Sequence, residues 1–231
     1  DAQSGVRRLR DPLIRQAFDS VAATVLVGGN AAGYIDFFRL TDVYTPRVFG
    51  IVLGLSFVLL TVAFRSLVVP LKAIVLNLLS VGAAYGLIVL VFQRGVGAIL
   101  FGFQQVAVIE AWIPLFLFTI LYGLSMDYHV FLLSRIREHF LATGDNTQAI
   151  LVGVRATAGV ITGAALIMVA IFAGFASGEL VMFQQVGFGL AAAVLIDATV
   201  VRSFLVPAAM QLLGVHNWYL PRWLAMRRRA E

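Results

Sequence analysis

An aspartate inside a long apolar block is the residue in this sequence with the clearest capacity for chemistry. Asp127 follows Ser125 and Met126, precedes Tyr128, and lies about 9 Å along a helix from Leu133, the last residue of the block. A carboxylate at that depth in a bilayer costs about 2.5–3.5 kcal/mol and usually faces the interior of a helix bundle. Low dielectric favours its neutral form, so Asp127 can exchange a proton, and the Tyr128 hydroxyl can donate to a carboxylate. The pair suits a proton relay; the alternative is a protonated Asp127 that only bonds a neighbouring helix.

A second aspartate stands near the end of another apolar block. Asp197 has Thr199 close by and Arg202 five residues later. We interpret Asp197 as a partly hydrated acid that anchors the helix end or pairs with an arginine; the other interpretation is a supporting role in the relay. Ser125 and Thr162 are further candidates for support because a hydroxyl can donate to a carboxylate, although Thr162 can equally bond a carbonyl of its own helix.

Other polar and small residues in the apolar blocks carry weaker signals. Gly159 and Gly163 form a G-x-x-x-G pattern that lets another helix approach closely, so we predict helix packing there. We assign no role to His129. The three histidines are scattered and cysteine is absent, so we expect no metal site, and without a phosphate-binding loop we expect no ATP and no other cofactor.

The composition requires a membrane. Of 231 residues, 61% are hydrophobic and 13% charged, against about 45–50% and 25% in soluble domains, and the mean hydropathy is +0.94. A soluble fold cannot hide so much apolar surface. The net charge of +5 comes from arginines scattered between apolar blocks, so it does not indicate nucleic-acid binding.

Five apolar blocks approach the length of about 20 residues that a membrane helix needs. They are apolar on every side, which favours helices over alternating barrel strands. Basic residues at span ends prefer the cytoplasm, and they collect after the first and third spans and in the tail, so we predict a cytoplasmic C-terminus. The predicted spans are 48–64, 67–92, 111–133, 156–176 and 180–201.

The remaining segments differ from the spans in composition. Residues 1–46 hold a charged start, a strand-like run at 22–28 and an amphipathic stretch, which we interpret as the end of an external domain. Residues 47–206 are predicted to form the helix bundle, and 207–231 a basic, aromatic interfacial tail with Trp218, Trp223 and three consecutive arginines. Because the first residue is Asp1, we expect a longer protein around this chain.

Several motifs together resemble the MmpL group of the RND transporter superfamily. The stretches are GLSMDY at 123–128, FLLSRIRE at 131–138, FRSLVVPLK at 64–72, LNLLS at 76–80, GFGL at 187–190 and IDATVVR at 196–202. The resemblance implies two six-helix halves with external porter domains around a relay of Asp-Tyr pairs, one on the fourth helix of each half. This chain would then supply five helices of one half, with a small α+β remnant of the porter domain at 1–46.

The resemblance also implies a function. Asp127 would bind the proton and Tyr128 would be the hydrogen-bond donor of the relay in a transporter that exports lipids or other hydrophobic molecules. The expected partners are protons, the lipid substrate, membrane lipids and the other half, in a bacterial inner membrane. Two alternatives stay open: an intramembrane aspartyl protease using Asp127 and Asp197, and a sensor or assembly module without transport.

Overall fold

The computed structural model describes residues 2–18, 20 and 24–221, and every regular element in that part of the chain is helical. Three π-helical segments, Leu9–Leu13, Val89–Gln93 and Asp197–Leu205, follow α1, α4 and α8, and a 3₁₀ turn covers Gly214–Trp218. The α-helices are α1 (Ala2–Arg8), α2 (Ile14–Phe18), α3 (Asn30–Phe64), α4 (Val68–Ile88), α5 (Ala98–Phe101), α6 (Trp112–Thr143), α7 (Asn146–Ala176), α8 (Val181–Ile196) and α9 (Val206–Leu213).

Five of these helical segments are long and apolar enough to cross a membrane, which confirms the predicted number of spans and the helical fold class. The helices extend past the apolar blocks: α6 ends at Thr143 rather than Leu133, and α7 begins at Asn146 rather than Ala156. The added turns of α6 hold Arg135, Arg137 and Glu138, which are good helix formers, whereas the added turns of α7 hold the apolar run 149–154 and start at the Asp145 cap. The spans are Asn30–Phe64, Val68–Gln93, Trp112–Thr143, Asn146–Ala176 and Val181–Trp218.

The connection between α6 and α7 is short because both helix ends are capped. Gly144 takes a left-handed conformation with φ of 73° and closes α6 through its N–H to the Phe140 carbonyl. Asp145 then caps α7, and its carboxylate accepts from the N–H groups of Thr147 and Gln148 at 2.8 and 3.1 Å. These two residues therefore turn the chain back through the membrane.

The chain divides into two compact units, residues 1–50 and 51–231. In the first unit, Arg10 forms an ion pair with Asp36 and donates to the Val27 carbonyl at 3.0 Å. The hydrogen bond to Asp36 raises the pKa of Arg10. The contacts join the segment around Arg10 to the start of α3.

The predicted strand at 22–28, and with it the α+β remnant, is not found in the described residues. Residues 24–28 have no regular structure, and 21–23 lie outside the described part. A strand needs a partner to satisfy its backbone, and no second strand is present among the described residues of this unit. The β-branched residues of this run favour an extended backbone locally, but the described residues offer no strand with which it could pair.

The second unit is a bundle in which α7 packs against α6 and α8, and α4 packs against α6 and α8. Its tightest crossings use glycines outside the G-x-x-x-G pattern. A Cβ on Gly187 would lie 2.4 Å from the Ala176 nitrogen, and one on Gly153 would lie 2.4 Å from a side-chain carbon of Ile136. No described atom lies within 4 Å of a Cβ placed on Gly159 or Gly163, so the packing predicted for them has no partner among the described residues and stays a prediction.

The segment after α9 lies against the beginning of α4. Asn217 is fully buried, its amide donates to the Met210 carbonyl at 2.7 Å, and its carbonyl accepts from the Ser66 hydroxyl at 2.5 Å. Trp218 stacks on Phe140 with ring centroids 5.5 Å apart. Residues 222–231, with Trp223 and the three consecutive arginines of the predicted tail, lie outside the described residues.

Candidate functional site

A buried ion pair lies at the centre of the second unit. Arg202 donates to the Asp197 carboxylate, and their side chains are 4% and 10% exposed. Residues five apart are about 140° apart around an α-helix, but the segment Asp197–Leu205 is π-helical, with i to i+5 hydrogen bonds that bring such residues onto one face. The local change of helix type therefore makes this pair possible.

Three polar side chains from two other helices complete the shell around Asp197. The Ser125 hydroxyl of α6 lies 2.9 Å from one carboxylate oxygen, and the Ser80 hydroxyl of α4 donates to the other at 3.3 Å. Arg202 also donates to the Ser125 carbonyl at 3.1 Å. The Asn77 amide lies 2.8 Å from the Ser125 hydroxyl. We call these five residues the Asp197 cluster; all of them are buried.

Proton counting limits the hydrogen bonds that the cluster can make at the same time. Ser125 has one hydroxyl proton, so it donates either to Asp197 or to Asn77. An amide oxygen and nitrogen are interchangeable by rotation of the group. With the Asn77 NH₂ turned toward Ser125, the amide donates to the hydroxyl and the hydroxyl donates to Asp197. This arrangement gives the carboxylate donors from Ser80, Ser125 and Arg202 together.

Tyr128 connects the cluster to the predicted relay. The Arg202 guanidinium carbon lies 5.0 Å from the centre of the Tyr128 ring, within the range of a cation–π contact. The Tyr128 hydroxyl lies 3.9 Å from the Met168 sulfur of α7, a weak acceptor. Tyr128 thus contacts the buried Arg202 guanidinium and directly follows Asp127 in the chain.

Asp127 itself lies on the outer face of α6. Its side chain is exposed, and its carboxylate has no hydrogen-bond partner among the described residues. The buried positions of α6 include Ser125, His129 and Leu132, which recur every three or four residues on the opposite side. The structure therefore separates the two aspartates: Asp197 faces the core and Asp127 faces outward.

A small cavity lies beside the cluster, between α4, α6, α7 and α8. Its polar lining comes from the Asp197 cluster and Tyr128, and the rest of its wall is apolar. About 20 Å³ is open to the centre of a water molecule, which is room for one water. A shallower groove beside Arg202 is lined by Thr157 and Thr162 of α7; Thr162 is exposed, and it does not contact either aspartate.

Four of these buried polar residues were not predicted as site residues from the sequence. Arg202 was considered only as a possible partner, because α-helical spacing separates it from Asp197. Asn77, Ser80 and Lys72 interrupt an apolar block, and that interruption was the available signal. Lys72 is 9% exposed, and its ammonium group donates to the Asn217 side-chain oxygen at 3.2 Å.

These features define a polytopic helical membrane protein with a charged pair in its core and a second acid on its outer face. In the described residues no group of three or more potential ligands could hold a metal ion. The profile of the MMPL family, part of the RND superfamily, matches residues 1–230. The chain therefore belongs to the MMPL family.

Several curated proteins of known name are similar to this chain. The heme uptake protein MmpL11 of Mycobacterium tuberculosis is 45% identical over 88% of the chain, and the mycolic acid-containing lipids exporter MmpL11 of Mycolicibacterium smegmatis is 45% identical over 87%. The trehalose monomycolate exporter MmpL3 of Mycobacterium tuberculosis is 39% identical over 87%. The chain spans about a fifth of these relatives, 21% of each. They are transporters and not enzymes.

Proposed function

We propose that this chain forms part of one half of a membrane transporter that uses the proton gradient to export lipids or other hydrophobic molecules. The observation that carries the proposal is the position of Asp127. It follows Trp112, the first residue of α6, by about 22 Å along the helix and precedes Arg135 by about 12 Å. The carboxylate is therefore at membrane depth, exposed on this chain.

An ionised carboxylate at that depth is stabilised when another protein surface covers it. Facing acyl chains would cost about 2.5–3.5 kcal/mol or more, and intramembrane acids usually face a bundle interior. A second half that covers this face of α6 would remove the cost, and by family resemblance it would bring its own Asp-Tyr pair. Gly159 and Gly163, whose surface is open on this chain, are candidates for close packing with that half.

Proton binding at Asp127 would then change the helix packing. A proton that crosses the membrane supplies about 2.3 kcal/mol per 100 mV. Neutral and ionised Asp127 favour different contacts with the second half, so protonation shifts a bundle between two states. Tyr128 is held on one side by the Arg202 charge and can donate its hydroxyl to a relay carboxylate. The Asp197 cluster would serve as the fixed support.

The relatives' names support the proposed substrate class, and the distribution of basic residues supports the proposed orientation. Two of the similar proteins are named as exporters of mycolic acid-containing lipids or trehalose monomycolate, and one as a heme uptake protein. We favour lipid export in a bacterial inner membrane, with a cytoplasmic C-terminus, because the basic residues collect on that side. Residues 1–46 would end the porter domain, 47–206 form the bundle and 207–231 the interfacial tail.

The protease alternative is disfavoured by the pairing of Asp197. Aspartyl catalysis needs two carboxyl groups that share one water, but the Asp197 carboxylate is occupied by Arg202 and two hydroxyls, and Asp127 is on the outer face of α6. The sensor alternative predicts instead that Asp127 is dispensable for lipid movement.

The test is an Asp127→Asn substitution in the gene of the source bacterium. Cells that lack the gene are complemented with wild type or variant and labelled with [¹⁴C]acetate, and the share of labelled lipid that leaves the inner membrane is measured with and without a protonophore. We expect D127N to lower the protonophore-sensitive share about 100-fold or more, and Glu138→Gln, an exposed acid of the same helix, to leave it unchanged. Full export by D127N would refute the relay.

A further inference from the structure

The connection between α4 and α6 carries an apolar surface that the bundle does not cover. Residues 95–103 have the sequence GVGAILFGF, without a charged or hydrogen-bonding side chain. Ile99 and Leu100 are 97% and 83% exposed, and Val96 and Phe101 are exposed as well. Large exposed apolar patches mark contacts with a membrane or a partner. We call residues 95–103 the apolar loop; α5 is its central turn.

Backbone hydrogen bonds hold the apolar loop beside the last turns of the second span. The Val96 N–H donates to the Leu90 carbonyl at 3.0 Å, and the Val106 N–H donates to the Phe92 carbonyl at 2.8 Å. Both acceptors belong to the span Val68–Gln93. The loop therefore leaves this span and returns to it at the same level, instead of extending away from the membrane.

Four phenylalanine rings fix the apolar loop against α4 and α8. Phe101 and Phe103 of the loop stack with ring centroids 5.5 Å apart, and Phe92 stacks on Phe103 at 5.0 Å. The Phe101 ring also contacts Phe188 of α8 at 5.9 Å. Phe188 lies about 10 Å along the helix from Val181, the first residue of α8, and α8 belongs to the fifth span. The loop thus packs against a residue inside a membrane span.

Polar residues flank the apolar loop on both sides. Arg94 is exposed and directly precedes it, and Gln104 and Gln105 follow it. The Gln105 amide donates to the Gln93 carbonyl at 2.7 Å. An arginine at the end of a span can lay its stem on apolar surface and extend its guanidinium to the lipid headgroups. An apolar segment between such residues is typical of the boundary between headgroups and acyl chains.

We propose that the apolar loop enters the adjacent lipid leaflet, where acyl chains of the bilayer cover Ile99 and Leu100. Acyl chains are the occupant because the loop is uncharged, its backbone is bonded to the end of a span, and its Phe101 ring packs on Phe188 inside another span. The loop thereby anchors one end of the α4–α8 pair at the boundary of the leaflet. This membrane contact lies outside the proposed relay and does not depend on proton transfer.

The test places a fluorescent dye on the loop in the full-length protein of the source bacterium, with cysteines outside this chain changed to serine. The chain itself has no cysteine. Leu100→Cys carries the dye, and Thr143→Cys, at the exposed end of α6 about 12 Å beyond Arg135, is the control. Each protein is reconstituted in vesicles of phosphatidylcholine and phosphatidylglycerol, with and without a lipid that carries a nitroxide on its acyl chain. Iodide in the buffer quenches the dye from the water phase.

We expect the nitroxide lipid to quench the L100C dye at least about twofold more than the T143C dye, and iodide to do the opposite. Strong quenching of the L100C dye by iodide would overturn the proposal, because the loop would then lie in water. Weak quenching by both reagents would also overturn it, because another part of the protein would then cover the loop. The readout involves neither export nor a proton gradient, so its outcome is separate from that of D127N.

A charge at the tip of the loop gives a second test. Ile99→Asp in the L100C protein should lower the quenching by the nitroxide lipid about twofold or more, because a carboxylate favours water over acyl chains. Ile99→Val is the control and should leave the quenching unchanged. Because Ile99 is almost fully exposed, neither change removes packing within the chain. The dye on Ile99→Cys should repeat the L100C result, and unchanged quenching in I99D would contradict insertion of the loop.

Discussion

Removal of one partner of the Asp197–Arg202 pair should be far more harmful than removal of both. Arg202→Met leaves the Asp197 carboxylate buried with two serine hydroxyls as its donors. Breaking a buried pair in this way costs about 3–5 kcal/mol. The Tyr128 ring also loses its cation–π contact, worth about 0.5–2 kcal/mol. We therefore expect R202M to lose at least 3 kcal/mol in the free energy of unfolding.

The double variant isolates the charge. Asp197→Asn with Arg202→Met removes both charges and leaves an amide that the two serines can still bind. Replacing a buried pair by neutral groups is often close to neutral in stability. The interaction energy in the double-mutant cycle should therefore be about 2–4 kcal/mol, with D197N/R202M recovering most of the stability that R202M loses.

The assay is unfolding of the purified chain in mixed micelles, followed by circular dichroism during a denaturing-detergent titration and during heating. For a unit of this size, 1 kcal/mol corresponds to about 2–4 °C, so R202M should lower Tm by about 6–20 °C. Arg135→Met is the matched control, because Arg135 pairs with Glu138 at 2.9 Å on an exposed face and such pairs contribute less than about 1 kcal/mol. Equal losses in R202M and R135M, or additive losses in the double variant, would refute this account of the cluster.

Substitutions at four further positions test the packing, the α7 cap and the segment after α9. Gly187→Ala should lower the free energy of unfolding by about 1–3 kcal/mol, because its Cβ would lie 2.4 Å from a backbone atom of α7. Gly163→Ala, with open space around it, should be neutral or stabilising. The same titration compares the two variants, and equal effects would contradict the close crossing of α7 and α8 at Gly187. Asp145→Ala should cost about 0.5–2 kcal/mol through the lost α7 cap, and Asp145→Asn should retain most of it. Asn217→Ala should expose the segment after α9 to limited proteolysis, and an unchanged cleavage pattern would show that Asn217 does not hold it.

The number and type of spans followed from the sequence because bilayer depth imposes a strong, local signal. Helix ends did not: α6 continues past the predicted block through charged residues that are good helix formers, and α7 begins before its predicted block because Asp145 places the cap earlier in the chain. The predicted strand is not found at 24–28, the described part of that run, because pairing is a nonlocal requirement that no single segment can reveal. Local patterns thus specified which segments cross the membrane and not how they end.

For the candidate site, too, the sequence identified individual residues but not the contacts between them. Asp127 and Asp197 stood out because acids are rare in apolar blocks, but their environments depended on facts outside the local pattern. The partnership of Asp197 with Arg202 needs a π-helical segment, which no hydropathy period predicts. Asn77 and Ser80 become part of the site only through the approach of α4 to α8. The glycines that permit close crossing, Gly153 and Gly187, lack the G-x-x-x-G spacing that selected Gly159 and Gly163.

The different environments of the two aspartates argue for a division of labour in the proposed transporter. Asp197 has an arginine and two hydroxyls as donors, and removal of its charge would leave Arg202 buried without its counter-charge. Asp127 has no such partner among the described residues, so its protonation removes a charge from lipid depth instead of creating one. Because Tyr128 packs on Arg202, the residue next to the proposed proton-binding acid contacts the base that is paired with Asp197. In the proposed transporter, a proton that binds Asp127 would then change the contacts with the second half while the core of this half remains in place.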